Sequence, residues 1–138
     1  MNGYLLATDV IAGALETRPD PKLEAWFAWA YERPKYLSVI TAGEMERAIR
    51  GVGDARRRTQ MVAWLSFAFR GLGTELLLPV TPAVAARWGQ MMALSARGGA
   101  RETELLVAAT AAEHGLALVT GRERTFAGLG LDLIDPFR

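Results

Sequence analysis

Short apolar runs alternate along the chain with segments in which apolar residues recur at helical spacing. The runs predict strands at residues 4–7, 36–40, 76–80 and 116–119, with a further strand candidate at 131–134. Each run is apolar almost throughout, which is typical of strands buried on both faces of a sheet. Because helical patterns separate the runs, we predict an α/β fold with a mostly parallel sheet of four to five strands, covered on both faces.

Capping residues predict where several helices begin. Asp9 follows the first run and is predicted to cap a short helix that extends to Leu15. Thr41 and Glu44 have the spacing of a capping box, which predicts the start of another helix at Thr41. Asp54 is the predicted N-cap of the helix that follows.

The composition narrows the class of protein. With 138 residues, 51% of them hydrophobic, the chain is the size of one domain, residues 1–138, with a sizeable core. It has no cysteine, which fits a reducing compartment such as the cytoplasm. The N-terminal segment lacks the basic start of a secretory signal, and no stretch approaches the ~20 apolar residues of a membrane span. A net charge of +1 provides little bulk attraction to polyanions.

Three acidic residues are predicted to meet at one edge of the sheet. Asp9 follows the first strand, Glu44 follows the second, and Glu104 lies in the first turn of the helix before the fourth. In parallel sheets this carboxyl edge carries the site. Converging carboxylates repel one another, and a divalent cation removes that penalty. Each acid also has a purely structural interpretation, as an N-cap, a capping-box partner or a first-turn acid.

Several segments, in order along the chain, match known motifs. Residues 5–11, LLATDVI, correspond to L-L-D-T-N/D-V-I, and residues 38–44, SVITAGE, correspond to S-x-I-T-x-x-E. Residues 104–120 contain ELLVAATA and HGLALVT, and residues 121–126, GRERTF, and 135–137, DPF, are similar to the motifs that follow. In these segments the chain resembles the PIN-domain ribonucleases, specifically the VapC-type toxins of bacterial toxin–antitoxin pairs.

The resemblance covers essentially the whole chain and carries several implications. It implies a PIN-like three-layer α/β/α fold and a Mg²⁺- or Mn²⁺-dependent endoribonuclease toxin that cleaves RNA. It implies a homodimer and a cognate antitoxin whose C-terminal segment occludes the site. By the same resemblance, the metal ligands fall on Ala7, Glu44 and Glu104, and the catalytic acids fall on Asp9, Glu44 and Glu104.

The chain departs from the family at the site itself. The leading aspartate of the family is Ala7 here, which removes a metal ligand, and Glu104 replaces an aspartate with one more methylene group. The fourth acid falls on Thr125 and the asparagine before it on Arg122, although Glu123 is close enough in sequence to compensate. We therefore expect this chain to be inactive or nearly so.

Two explanations for Ala7 stay open. Ala7 is either part of a natural loss that also affects Glu104 and Thr125, or a deliberate replacement of aspartate that disarms a toxic nuclease. Two functions stay open as well. The chain is either a ribonuclease toxin of this type or a naturally degenerate PIN module that acts by binding RNA or its antitoxin.

Two surface features have competing interpretations. The basic run at residues 56–58 is interpreted as a solvated helix face, with contact to RNA phosphates or an acidic partner as the alternative. Trp29, and Phe67 or Phe69, lie off the apolar stripes of their helices. They are predicted to form a partner-facing apolar patch.

Overall fold

Parallel strands form a five-stranded sheet within residues 3–72, 76–95 and 99–138, which are the residues that the computed structural model describes. The strands are β1 (Tyr4–Leu6), β2 (Lys35–Ser38), β3 (Leu77–Leu78), β4 (Ala117–Val119) and β5 (Leu133–Ile134). Their order across the sheet is β3-β2-β1-β4-β5, and neighbouring strands are parallel throughout. The predicted parallel α/β sheet is confirmed.

Helices connect the strands and cover the sheet. They are α1 (Thr8–Ala14), α2 (Pro21–Trp29), α3 (Val39–Arg50), α4 (Ala55–Leu72), α5 (Pro82–Leu94) and α6 (Glu102–Glu113). A short 3-10 helix, Glu123–Phe126, lies between β4 and β5. Within the described part of the chain, no helix is both long and apolar enough to cross a membrane.

Two apolar clusters lie on the opposite faces of the sheet. Tyr4 and Leu6 of β1 belong to a cluster with residues of α1, α2, α3 and α4. Leu5, between them, belongs to a second cluster with residues of α5 and α6. Since successive side chains of a strand point to opposite faces, this division confirms the three-layer α/β/α arrangement. β1 is buried on both faces, as its apolar run predicts.

The start of α3 differs from the prediction. The second predicted strand, residues 36–40, ends at Ser38, and α3 begins immediately with Val39. The Ser38 hydroxyl accepts a 3.0 Å hydrogen bond from the Ile40 amide and so caps the helix. The capping box predicted at Thr41 is wrong, because Thr41 is already inside the helix and fully buried.

Capping is also different at α1. Its N-cap is Ala7, which offers no side-chain hydrogen bond, and Asp9 lies inside the first turn. The prediction that Asp9 caps this helix is therefore wrong. The Asp54 carboxylate, by contrast, accepts a 2.9 Å bond from the Arg56 amide at the start of α4, which confirms that cap.

The basic run at the start of α4 is only partly solvated. The Arg57 side chain donates to the carbonyl of Leu15, and the Arg58 guanidinium donates to that of Val52 at 2.7 Å. Both arginines thus tie neighbouring segments to α4, and the solvated-face interpretation is wrong for them.

The predicted apolar surface residues are exposed where the structure describes them. Trp29 is 75% exposed and Phe67 is 79% exposed, so both are free to meet a partner. Phe69 lies outside the residues whose side chains are described.

Candidate functional site

The register of the central strands places the site. Leu6 of β1 pairs with Val119 of β4, so the residues that follow, Ala7 and Thr120, emerge together at the carboxyl edge of the sheet. The Ala7 amide donates a 3.0 Å hydrogen bond to the Val119 carbonyl, which extends the pairing by one step. Ala7 then turns the chain into α1.

A small cleft opens at this edge. Its volume is about 30 Å³, enough for roughly one water molecule. It is lined by Ala7, Thr8, Asp9, Glu44, Arg101, Glu104, Val107, Leu118, Arg122 and Phe126. The structure therefore brings the acids predicted from the sequence, with Ala7, to one location.

Glu44 is held by two hydroxyl groups. The Thr8 hydroxyl donates a 2.7 Å hydrogen bond to one carboxylate oxygen, and the Thr103 hydroxyl lies 3.3 Å from the other. The hydroxyl of the buried Thr41 lies 3.0 Å from that of Thr8. Since α3 begins earlier than predicted, Glu44 has no part in a cap, and its carboxylate is directed into the cleft by contacts from other elements.

Asp9 is held by the segment that follows β4. Its carboxylate accepts a 2.8 Å hydrogen bond from the Gly121 amide and lies 3.2 Å from the Thr120 hydroxyl. Burial raises the pKa of Asp9 above its usual value of 3.8, against the lowering effect of these hydrogen bonds; the negative charge of Glu104 adds to the rise.

Glu104 has positively charged neighbours on both of its oxygens. The Arg122 guanidinium donates to them at 2.7 and 3.3 Å, and the Arg101 side chain and amide donate at 3.2 and 3.0 Å. Burial alone would raise the pKa of Glu104. The bonds from Arg101 and Arg122, together with the charge of Arg122, outweigh burial and lower the pKa below its usual 4.5.

The capping role that the sequence suggested for Glu44 thus belongs to Glu104. Its acceptance of the Arg101 amide closes the N-terminus of α6, three residues before it. Glu104 is therefore a structural residue as well as a residue of the cleft.

Sequence reasoning did not foresee the role of Arg122. The available signal was its position, two residues after Thr120, which puts a cation at the same sheet edge as the acids. Glu123, the suggested substitute for the missing acid, pairs instead with Arg138 at 3.0 Å and does not line the cleft.

As it stands, the donor set does not fit a divalent cation. Among the residues that the structure describes, no three Asp, Glu, His or Cys side chains form a group able to hold a metal ion. The methyl group of Ala7 offers no donor, and both oxygens of Glu104 are engaged by arginines. The Mg²⁺ or Mn²⁺ implied by the resemblance therefore stays a prediction, and it concerns a chain with an acid at residue 7.

The strand order and the acidic cleft at the carboxyl edge fit the PIN-like α/β fold that the resemblance to VapC-type toxins implies. No protein-family model matches the chain. The chain is 27% identical over 135 residues to VapC ribonuclease Y4jK of Sinorhizobium fredii, covering 96% of each chain. It is 24% identical to toxin FitB of Neisseria gonorrhoeae, covering 96% of this chain and 97% of that one.

Solved structures share the same fold. The structure of FitAcB from Neisseria gonorrhoeae superposes with a TM-score of 0.87 and 24% identity, covering 98% of this chain and 99% of that one. Other similar structures are VapBC and further toxin–antitoxin complexes, some of them bound to DNA. Together these similarities confirm the resemblance to VapC-type PIN-domain toxins and the predicted fold.

Proposed function

We propose that this chain is the toxin of a toxin–antitoxin pair, built as an endoribonuclease whose cleft lacks its leading acid. The observation that carries the proposal is the position of Glu44. Its carboxylate is held by Thr8 and Thr103 in the cleft that Ala7 lines, at the carboxyl edge of the sheet. The site is therefore arranged for acid chemistry but lacks the leading carboxylate at residue 7.

The acids of the cleft have distinct roles in this proposal. Glu44 and Glu104 are the retained metal ligands, and the third would be an aspartate at residue 7. Asp9, fixed by Gly121 and the Thr120 hydroxyl, orients the cleft beside them. The Mg²⁺ or Mn²⁺ that such a site takes would supply a Lewis acid for a phosphodiester.

The partners follow from the same assignment. We propose RNA as the substrate, a second copy of the chain as partner in a homodimer, and a cognate antitoxin as inhibitor. The relatives support an antitoxin, because their solved structures include toxin–antitoxin complexes. The cysteine-free composition supports action in the cytoplasm.

A second candidate function is a binding module without catalysis. It is favoured by the ion pair between Arg122 and Glu104, which engages a ligand position that a nuclease needs free. With this function, the chain binds RNA or its antitoxin and does not cleave RNA.

Expression in a bacterial host distinguishes the two functions. The chain as it stands is expected to leave growth unchanged, whereas Ala7→Asp is expected to arrest growth and to fragment cellular RNA. Ala7→Asn is the control, since it adds the same bulk without the charge. Arrest by Ala7→Asp but not by Ala7→Asn supports the nuclease. Growth of all three strains with intact RNA, at equal protein levels and also after Arg122→Gln is added to Ala7→Asp, would leave only the binding module.

A further inference from the structure

The acid of the ion pair between Arg122 and Glu104 is more buried than the acids of the Arg50–Glu46 and Arg87–Glu113 pairs. The Glu104 side chain is only 12% exposed, whereas Glu46, which pairs with Arg50 along α3, is 57% exposed. Screening by water is therefore weaker at Glu104, and its negative charge needs a partner. Arg122 meets that need with two donors, in the forked geometry that guanidinium and carboxylate groups favour.

The charges around the pair favour a positively charged side chain in the cleft. Three carboxylates line the cleft, and two arginines face them. Arg101 makes its contact from the residue just before α6, with a side chain that is 71% exposed, so it is a peripheral partner. Arg122 is 46% exposed and makes the shorter contact, 2.7 Å against 3.2 Å.

The backbone also fixes Arg122 in place. Its amide donates a 3.0 Å hydrogen bond to the hydroxyl of Thr120, whose own position is tied to Asp9. The carbonyl of Arg122 accepts the Thr125 amide at 2.9 Å and so begins the short 3-10 helix. The turn that carries the Arg122 guanidinium into the cleft is thus held by hydrogen bonds on both sides of the residue.

We infer that the Arg122 guanidinium is a built-in counter-ion of the cleft that competes with a divalent cation for Glu104. The lost metal affinity of this chain then has two causes, the absent acid at residue 7 and the cation already present at residue 122. Restoring the acid alone leaves a divalent cation weakly bound, and removing the charge of Arg122 as well strengthens its binding. This inference rests on the proposed nuclease origin of the cleft.

Calorimetric titration with Mn²⁺ tests the competition in the full chain. The variants are Ala7→Asp, Ala7→Asp with Arg122→Gln, and Ala7→Asp with Arg87→Gln. Glutamine keeps a hydrogen-bond donor without the charge. Arg87 is the matched control, because it forms a 2.9 Å pair with Glu113 and its side chain is 45% exposed, but it does not line the cleft.

The inference predicts that Arg122→Gln tightens Mn²⁺ binding about tenfold or more, because Glu104 then no longer has to give up a bidentate charged partner before it binds the cation. Arg87→Gln is expected to change nothing, and adding Glu44→Gln is expected to remove the binding. The inference is overturned if Ala7→Asp binds Mn²⁺ with the same affinity with and without Arg122→Gln, or if neither variant binds Mn²⁺.

Two further measurements keep the result interpretable. If Ala7→Asp does not fold, Arg122→Gln and Arg87→Gln are compared in the unaltered chain with Tb³⁺, a hard cation that carboxylates bind. Stronger Tb³⁺ binding for Arg122→Gln supports the inference, and equal binding overturns it. RNA cleavage is measured separately. If Arg122→Gln strengthens Mn²⁺ binding but no variant cleaves RNA, the proposed nuclease is refuted and the counter-ion role of Arg122 is supported.

Discussion

The hydroxyl of Thr8 donates a 2.7 Å hydrogen bond to Glu44 across 36 positions of the sequence. This bond joins the first turn of α1 to the side of α3, beside the end of β1. Together with the Thr103 hydroxyl, it fixes the Glu44 carboxylate in the cleft. The Thr41 hydroxyl, fully buried and 3.0 Å from that of Thr8, extends the contact into the core.

Removing the Thr8 hydroxyl is expected to destabilise the fold. Thr8→Val keeps the shape of the side chain but removes the Thr8 partner of the fully buried Thr41 hydroxyl and leaves Glu44 with the Thr103 contact alone. We expect a cost of about 1–3 kcal/mol. Urea unfolding measures the loss. Thr59→Val is the control, because Thr59 is an exposed residue that donates to the Ala55 carbonyl within α4. Its effect is expected to stay within about 0.5 kcal/mol. Similar losses for the two variants would contradict the account.

The two acids with shifted pKa values are expected to respond to pH in opposite directions. The pKa of Asp9 is raised by burial, so the folded state favours its protonated form, and its contribution to stability falls as pH rises through that pKa. The pKa of Glu104 is lowered, because Arg101 and Arg122 outweigh burial. Its contribution is therefore present above 4.5 and is lost as pH falls through the lowered pKa.

Neutral isosteres reveal these opposite signs. Relative to the unaltered chain, Asp9→Asn is expected to gain stability as pH rises from acid to neutral, and Glu104→Gln is expected to lose it. Urea unfolding in EDTA between about pH 3 and 7 measures both differences. If both stability differences changed with pH in the same direction, the environment described for Asp9 or that described for Glu104 would be wrong.

Apolar periodicity predicted most of the fold, and local capping chemistry accounts for much of the rest. The β1 run and the parallel sheet followed directly from buried apolar residues. The boundary between β2 and α3 did not, because Val39 and Ile40 extend an apolar run that looks like a strand. The Ser38 hydroxyl, which accepts a hydrogen bond from the Ile40 amide, caps the helix that begins within this run.

The acids of the site were predictable from their position at strand ends, whereas their partners were not. Glu104, and not Glu44, takes the capping-box role, since α3 starts earlier than its Thr41 pattern indicates and the Arg101 amide donates to Glu104 at the start of α6. Arg122 contacts an acid 18 positions away, and no local pattern specifies such a contact.

Two tryptophans on α2, three positions apart, are expected to behave differently. Trp26 packs edge-on against Tyr4, with ring centroids 5.1 Å apart, whereas Trp29 is 75% exposed. Trp26→Ala is therefore expected to cost about 3 kcal/mol of folding free energy, and Trp29→Ala less than about 0.5. Thermal or urea unfolding checks both values. A loss above about 1 kcal/mol for Trp29→Ala would mean that its ring supports the fold rather than a partner.

The central claim is that the cleft is built as a ribonuclease site whose leading acid, at residue 7, is missing. Aspartate is a favoured N-cap, and residue 7 caps α1 in an extended conformation, so Ala7→Asp is expected to fold. The decisive measurement is the rate of RNA cleavage by purified Ala7→Asp at saturating Mg²⁺, with Ala7→Asn as the reference. The account predicts a ratio of at least about a hundred, abolished by EDTA. Equal rates for the two folded variants would contradict it.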